Sequence, residues 1–550
     1  MFLLNFVGVV YFFSGLVLFF FKLVSEGGFY FPIFSFLAVL GDLFSSSFLA
    51  LFFVFDYYSF VYLFVLFFIV SSIHFFRVSY MSLDLSLARF TVILKLFVFS
   101  MSFLIVSGKF ISFIYGWDWL GLTSFLLVVW YGCRVSRYAG LKTFLVNRLG
   151  DAFFLSSIAV SLYWSDFRGF FSENLNWLVV VSFVLGAFTK SAQFPFRSWL
   201  PEAMAAPTPI SALVHSSTLV TAGLFFLFRF RDLVPFDSLF FVYFVGVFTV
   251  YLGSLGACVD KNSKKVVAYS TISQLGFIIF CQGSEFEYLA FGYMMLHAFV
   301  KALLFLSVGS YMLYISHCQD SRSMYSNLGV NPFFNLSFLF CVYVLAGLSF
   351  RPIHLFKLQL LKMSFLFSYF KLFIIFVVFC SSLLTIYYCT LLYSDLIFSR
   401  HSVSPKYSCL FSSSSFLYLF ILFIGMYLLS FMFYSFTFCF RLYLKTFFLC
   451  VILFILPTSS LLARFYWFPF YSFFMFFLLF FISSFNKFFR IGFYLHTVVD
   501  RGLLPFSFLG LDYFVSKVFI DLVGKIFFLS WVLYIFSFGM VFYFLFFSLF

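Results

Sequence analysis

The chain has 550 residues, of which 64% are hydrophobic and 9% are charged, and its mean hydropathy is +1.12. An ordinary soluble domain is about 45–50% apolar and about 25% charged, so this composition excludes a soluble globular protein and indicates an integral membrane protein. The net charge of +14 lies mostly in short breaks between apolar runs, where it reports loop orientation and not nucleic-acid binding.

Apolar runs recur along the whole chain with the length of membrane-crossing helices, and about 14–16 spans fit at about 20 residues each. The first run has neither a charged leader nor a small-residue cleavage site, so it is interpreted as a retained span. The sequence therefore predicts an all-α polytopic membrane protein. Spans are predicted near residues 1–23, 29–53, 57–79, 89–110, 111–131, 142–164, 176–195, 207–229, 236–258, 265–283, 288–315, 332–360, 366–394, 409–434, 446–485 and 530–550.

Four charged side chains lie inside these apolar spans: Asp118, Lys190, Lys301 and Lys357. Each charge at mid-membrane costs about 2.5–3.5 kcal/mol, so four would cost about 10–14 kcal/mol unless they are paired, hydrated or neutral. Burial disfavours the charged form of a lysine, and a nearby carboxylate favours it. A small movement can therefore change whether such a lysine holds a proton, which is the chemistry of a proton relay.

Lys190 lies at the start of a helix break in the stretch GAFTKSAQFPFRSWLPEAMAAPTPISALVHSSTLVTAG, residues 186–223. Pro195 cannot donate a backbone hydrogen bond, and three more prolines follow within fifteen residues. Freed carbonyls and water can solvate an ammonium group at such a break, as in ion-transporting membrane proteins. The alternative is a kink that serves packing alone.

A second break carries Arg351, Pro352 and Lys357. Paired interruptions in two halves of a chain indicate two repeats of inverted topology, with the site between them. Asp151, beside Arg148, is either a salt bridge at a helix end or part of a proton uptake route. Lys264 and Lys265 are interpreted as loop charges.

Two histidines extend the series of titratable groups. His215 follows the first break, and His297 lies four residues before Lys301, on the same helical face. Imidazole titrates near neutral pH and can pass on a proton. The alternative for each is a hydrogen-bonded core histidine.

Residues 486–530 have a different pattern. In LDYFVSKVFIDLVGKIFF, polar residues recur every four or five positions and apolar residues fill the rest, which predicts an amphipathic lateral helix along a surface. A buried bundle helix is the alternative. A C-terminal anchor helix follows at 531–550.

The ten cysteines form no CxxC pair and no cluster with histidine, and the chain has neither a P-loop nor a dinucleotide-binding glycine motif. Disulfides, metal ligation and nucleotide binding are therefore unsupported. We expect no cofactor in this chain.

The strings FTKSAQFPFRSWLPEAMAAPTPISALVHSSTLVTAG, GWDWLGLTSFLL, NRLGD and LHAFVKALLFLSVG together resemble the antiporter-like, proton-pumping subunits of respiratory complex I. These are related to subunits of multi-protein sodium/proton antiporters. The resemblance runs from about Asp56 to Lys357 and more loosely to the C-terminus. It implies the domains 1–88 (N-terminal spans), 89–395 (core of two inverted repeats), 396–485 (additional spans), 486–530 (lateral helix) and 531–550 (anchor).

The resemblance also implies a role for each titratable residue. Asp118 would pair with Lys190, which would be the central lysine of the first broken helix. A hydrophilic axis would continue through His215, His297 and Lys301 to Lys357, the terminal lysine of the second broken helix. Asp151 remains a candidate for proton uptake.

The implied function is proton pumping coupled to electron transfer from NADH to ubiquinone. FMN, iron–sulfur clusters and ubiquinone would be bound by other subunits. The implied partners are membrane lipids and other membrane-arm subunits, especially the neighbouring antiporter-like subunit 4, and the implied location is the mitochondrial inner membrane. Two alternatives remain at this point: a cation/proton antiporter subunit, and a structural membrane-arm subunit without its own proton path.

Overall fold

The computed structural model describes residues 7–18, 53–82, 84, 86–108, 110–164, 177–231, 236–284, 286–314, 319–321, 332–346, 369–397, 418–419 and 421–426. Chain contacts divide the protein into two units, Met1–Ser484 and Phe485–Phe550, and all described residues belong to the first. The second break with Lys357, the lateral helix and the final anchor lie outside the described residues.

The described residues are almost entirely helical. Beyond helices they form two isolated β-bridges, Phe53 with Ser107 and Asn262 with Asp320. The helices, in chain order, are α1 (Val7–Leu18), α2 (Tyr57–Tyr80), α3 (Leu87–Val106), α4 (Phe110–Val128), α5 (Arg134–Trp164), α6 (Trp177–Lys190), α7 (Trp199–Glu202), α8 (Thr208–Leu213), α9 (Leu219–Arg229), α10 (Phe236–Val259), α11 (Ser263–Gly283), α12 (Glu287–Tyr314), α13 (Pro332–Ala346) and α14 (Tyr369–Ile397).

Six of the described helical stretches are long and apolar enough to cross a membrane. They are Tyr57–Tyr80, Leu87–Val106, Thr208–Arg229, Ser238–Val259, Ser263–Gly283 and Glu287–Leu313. The protein is therefore an all-α, multi-pass membrane protein, as its composition predicts. The lengths of the apolar runs also place most helix ends within a few residues of their predicted positions, because a bilayer fixes how long a span must be.

Helix α5 begins earlier than the sequence predicts. The span was expected at 142–164, whereas the helix starts at Arg134 and has 31 residues. Its first two turns carry Arg134 and Arg137, which resemble a loop in a hydropathy pattern. Gly132, with φ of 61°, makes the turn that precedes it, and a glycine adopts this left-handed conformation readily.

The helices around the first break form the best-buried part of the described chain. Between Thr208 and Arg229 the whole apolar window is buried, and α11 and α12 are 94% buried. Helix α12 packs against α8, α11 and α13, while α5 and α9 pack against α6. The break that carries Lys190 is thus enclosed by protein on several sides.

Candidate functional site

The chain breaks its helix directly after Lys190, as the prolines predict. Helix α6 ends at Lys190, and the backbone amide of Gln193 donates to the carbonyl of Phe188 to close it. Ala192 adopts a left-handed φ of 52°, which a side chain disfavours, and Pro195 follows. Trp199 donates its indole NH to the carbonyl of Thr189 at 3.0 Å, which ties the far side of the break back to the end of α6.

Lys190 is fully buried, and its ammonium group contacts Trp117 on helix α4. Its Nζ donates to the Trp117 backbone carbonyl at 2.5 Å and lies 3.8 Å from the centroid of the indole ring. A carbonyl and an aromatic face both favour a cation without adding a counter-charge. Because no counter-charge contacts the ammonium group directly, the neutral form of Lys190 is not strongly disfavoured.

Two carboxylates and an arginine complete the cluster. Trp117 donates its indole NH to Asp151 Oδ1 at 2.9 Å. Arg148 donates to Asp151 Oδ2 at 3.0 Å and to Asp118 Oδ1 at 3.4 Å. Trp117 thus bridges Lys190 and Asp151, and Arg148 bridges the two carboxylates.

The direct pairing expected between Asp118 and Lys190 is not formed. Asp118 faces Arg148, and its side chain is 42% exposed, whereas that of Asp151 is 14% exposed. The Asp118 carboxylate accepts from Arg148, and no hydrogen bond joins it to Lys190. Asp151 is therefore the carboxylate that Trp117 connects to Lys190.

His215 lies beyond the break, in a segment with π-helical hydrogen bonding at Val214–Thr218. Such wide turns leave carbonyls to be satisfied by side chains, and Thr218 donates its hydroxyl to the carbonyl of Leu213 at 2.8 Å. The His215 ring is 1% exposed and lies 6.0 Å from the Trp199 ring. Neither of its nitrogens has a protein hydrogen-bond partner. This disfavours the interpretation of His215 as a hydrogen-bonded core histidine.

Helices α11 and α12 carry the next polar group. Lys301 is fully buried and donates to Ser270 Oγ at 2.6 Å. One turn earlier on α12, His297 is fully buried, and neither ring nitrogen has a protein hydrogen-bond partner. A further turn back, Tyr293 donates its hydroxyl to Gln274 on α11. Side chains four residues apart on both helices thus form a polar ladder inside the bundle.

The structure also shows functional neighbours that the sequence reasoning missed or misassigned. The interpretation of Lys264 as a loop charge is wrong: it lies in the first turn of α11, is 3% exposed, and donates to the Ala206 carbonyl at 3.2 Å. Lys142 on α5 pairs with Glu202 at 2.6 Å. Two lysines on different helices therefore hold the segment that follows the break. Trp117 was missed because an indole in an apolar span resembles core, although it stands next to Asp118 in GWDWL.

Close backbone approach beside Lys190 depends on Gly223, the last residue of the quoted stretch. A Cβ at Gly223 would lie 2.5 Å from the Ala187 carbonyl oxygen and 3.0 Å from the Ser191 nitrogen. Both atoms are backbone, so α9 and the end of α6 would have to separate. We expect Gly223→Ala to destabilise the folded chain by about 1–3 kcal/mol, measured as a lower thermal midpoint of the assembled protein.

Gly121 provides the matched control for this prediction. A Cβ there would meet no atom within 4 Å, and replacing a helical glycine by alanine is itself favourable by about 0.5–1 kcal/mol. We expect Gly121→Ala to leave the midpoint unchanged or raise it. Equal effects of the two substitutions would contradict the assignment of Gly223 to helix packing.

Known proteins share sequence and fold with this chain. Residues 107–385 match the family model described as NADH:quinone oxidoreductase/Mrp antiporter, TM. The NADH-ubiquinone oxidoreductase chain 5 of Locusta migratoria is 38% identical over 356 residues, which cover 63% of this chain and 62% of that protein. The protein of the same name from Caenorhabditis elegans is 38% identical over 367 residues, which cover 66% of this chain and 68% of that protein. The chain thus aligns with about three fifths of the length of the locust protein.

Among solved structures, the fold is similar to a chain of the membrane-bound sulfane sulfur reductase, an archaeal respiratory membrane complex. The TM-score is 0.67, with 19% identity, and the match covers 81% of this chain and 91% of that chain. At this identity the likeness concerns the fold alone.

Proposed function

The chain belongs to the NADH:quinone oxidoreductase/Mrp antiporter membrane family, together with the NADH-ubiquinone oxidoreductase chain 5 proteins, and we propose that it is a proton-translocating membrane-arm subunit of respiratory complex I. The observation that carries this proposal is the environment of Lys190. Lys190 is buried at a helix break, and one indole connects it to a largely buried carboxylate. How firmly such a lysine holds its proton depends on small movements of these groups.

The proposed roles follow from the contacts. Asp151, Asp118 and Arg148 set the electrostatic potential at Lys190, and a shift of Arg148 between the two carboxylates would change how firmly Lys190 holds its proton. His215 and His297 would pass protons on because an imidazole can accept a proton at one ring nitrogen and release one from the other. Lys301 would be the next storage site, held by Ser270. Lys357 would end the line.

The rest of the function is proposed from the family. The chain would work without a cofactor of its own, with FMN, iron–sulfur clusters and ubiquinone bound by other subunits. It would lie in the mitochondrial inner membrane beside other membrane-arm subunits, including antiporter-like subunit 4. Electron transfer elsewhere in the complex would drive the movements that alter the charge around Lys190.

The family description also covers Mrp antiporters, so a cation/proton antiporter subunit is the second candidate. The two differ in what drives proton movement. In proteoliposomes that contain the purified complex, we expect NADH oxidation to drive proton transport and a sodium gradient without NADH to drive none. Sodium-driven proton flux in the absence of NADH would favour the antiporter.

Substitution of Lys301 tests whether this chain has a proton path of its own within the complex. We expect Lys301→Met to slow proton transfer through this chain by about 10²-fold, the scale on which a positioned acid or base acts. The readout is the number of protons moved per NADH oxidised, with assembly checked by the mass of the purified complex. Lys265→Met, on the partly exposed side of α11, is the matched control and should leave the ratio unchanged. An unchanged ratio in the Lys301 variant would support a purely structural subunit.

A further inference from the structure

Two buried polar side chains, those of His74 and Arg77, lie near the end of helix α2, away from the groups assigned to proton transfer. His74 is fully buried and Arg77 is 1% exposed, and none of their five side-chain nitrogens has a hydrogen-bond partner. The ring of Tyr11 on α1 stacks on His74 with centroids 5.5 Å apart. The Arg77 guanidinium lies over the ring of Phe90 on α3, with Cζ 5.9 Å from the centroid.

Nothing in the described part of the chain neutralises Arg77. No carboxylate of the described residues lies within hydrogen-bonding distance of its guanidinium nitrogens. The nearest acidic residue in sequence, Asp84, makes no hydrogen bond to the guanidinium. A buried guanidinium without a hydrogen-bond partner is strongly unfavourable in a protein, so this position calls for an anion.

The N-terminus of α3 supplies the second half of an anion site. This 20-residue helix begins at Leu87, its N-cap residue Ser86 makes no side-chain hydrogen bond to it, and its first turn contains no acidic residue. The first amides of a helix lack intrahelical partners and attract anions. Phe90, which lies under the guanidinium, belongs to this same turn. Ala88 and Arg89 in that turn are exposed, so the amides can be approached from outside.

We propose that Arg77 and the first turn of α3 bind the phosphate group of an anionic phospholipid. A guanidinium and helix-end amides both match phosphate oxygens, and the guanidinium can do so in bidentate fashion. Arg77 lies in the last turn of a 24-residue apolar helix, which is where a span reaches the headgroup layer.

The surface of α3 favours a lipid over free phosphate. From the same end of the helix, Val92, Leu96 and Phe99 present exposed apolar side chains, with exposed fractions of 57%, 41% and 62%. Their spacing of three and four residues places them on one face. Acyl chains attached to the bound phosphate would cover this face.

The test measures how anionic lipid stabilises the purified complex that contains this chain. The thermal midpoint of the delipidated complex is followed against added phosphatidylglycerol, with phosphatidylcholine and inorganic phosphate as comparisons. We expect phosphatidylglycerol to raise the midpoint, and Arg77→Gln to increase the half-saturating lipid concentration by about tenfold or more, the effect of losing charged hydrogen bonds. Lys265→Gln, which removes a partly exposed charge from α11, should leave that concentration unchanged.

Two outcomes would overturn the proposal: an Arg77→Gln complex with the lipid dependence of the wild type, or inorganic phosphate that replaces the lipid at equal concentration. Because Arg77→Gln can prevent assembly, a second measurement uses the wild-type complex. Cryo-EM maps with and without phosphatidylglycerol should differ by headgroup density between Arg77 and Leu87. A carboxylate of a neighbouring chain at that position would refute the lipid assignment. Neither measurement depends on proton transport.

Discussion

Replacing Lys190 by methionine is expected to stop proton transfer through this chain while the complex still assembles. Methionine has a similar volume but no proton to give, and the Trp117 carbonyl that accepts from Lys190 would lose its partner. We expect a loss on the order of 10²-fold in proton transfer. The measurement is protons moved per NADH oxidised in proteoliposomes, together with the rate of NADH oxidation.

The same assay decides which carboxylate acts with Lys190. Asp151 is mostly buried and accepts hydrogen bonds from both Trp117 and Arg148, so the loss of its charge in Asp151→Asn should weaken the cluster by about 1.5–3 kcal/mol. Asp118 is about two-fifths exposed and lies 3.4 Å from Arg148, and exposed pairs contribute about 0–1 kcal/mol. We therefore expect Asp151→Asn to approach the Lys190→Met defect and Asp118→Asn to cause a much smaller one.

A double variant tests whether Asp151 acts through Lys190 or independently of it. If Asp151 acts through Lys190, the double variant Lys190→Met with Asp151→Asn should be no worse than Lys190→Met alone, because groups that act as a unit are not additive. Additive losses, or a larger defect from Asp118→Asn than from Asp151→Asn, would show that the bridge through Trp117 is not the functional contact.

The sequence predicts the helices of this protein better than the contacts between them. The ends of α2, α9, α10 and α12 could be predicted because a bilayer sets the length of an apolar run and prolines mark the break. The start of α5 could not, since two arginines in its first turns disrupt the hydropathy pattern without disrupting the helix. Hydropathy reports which residues are apolar enough for the membrane, and a helix can extend beyond the ends of such an apolar run.

For the candidate site, too, the sequence predicts the residues better than the contacts between them. Buried charges are costly, so Lys190 and Lys301 stood out from composition alone. Their partners depend on how helices far apart in sequence face each other, as the contact of Asp118 with Arg148 and not with Lys190 shows. Lys264 was misassigned because it follows a charged turn, although the helix had already begun and turned its side chain inward.

Helix α11 joins the two polar regions of the described chain. Its first turn carries Lys264, which holds the Ala206 carbonyl after the break, and six residues later Ser270 accepts from Lys301. Six helical residues span about 9 Å, and a buried helix moves largely as a rigid rod. A displacement of the segment after the break would therefore also shift Ser270 and change its hydrogen bond with Lys301. The ion pair of Lys142 with Glu202 connects the same segment to α5, which carries Arg148 and Asp151.

Lys264→Met is expected to uncouple these regions without unfolding them. The substitution removes a buried ammonium, which relieves its desolvation, but it leaves the Ala206 carbonyl without its donor, a cost of about 1–3 kcal/mol. Because the two effects oppose each other, we expect a thermal midpoint close to that of the wild type. Hydrogen exchange at residues 203–206 should become faster, and the number of protons moved per NADH should fall. Lys264→Arg should restore both in part, and Lys265→Met should change neither.

Two other outcomes would contradict this expectation. A large drop in the midpoint with unchanged exchange would make Lys264 a purely structural residue. Unchanged exchange with an unchanged proton ratio would remove α11 from the path between Lys190 and Lys301.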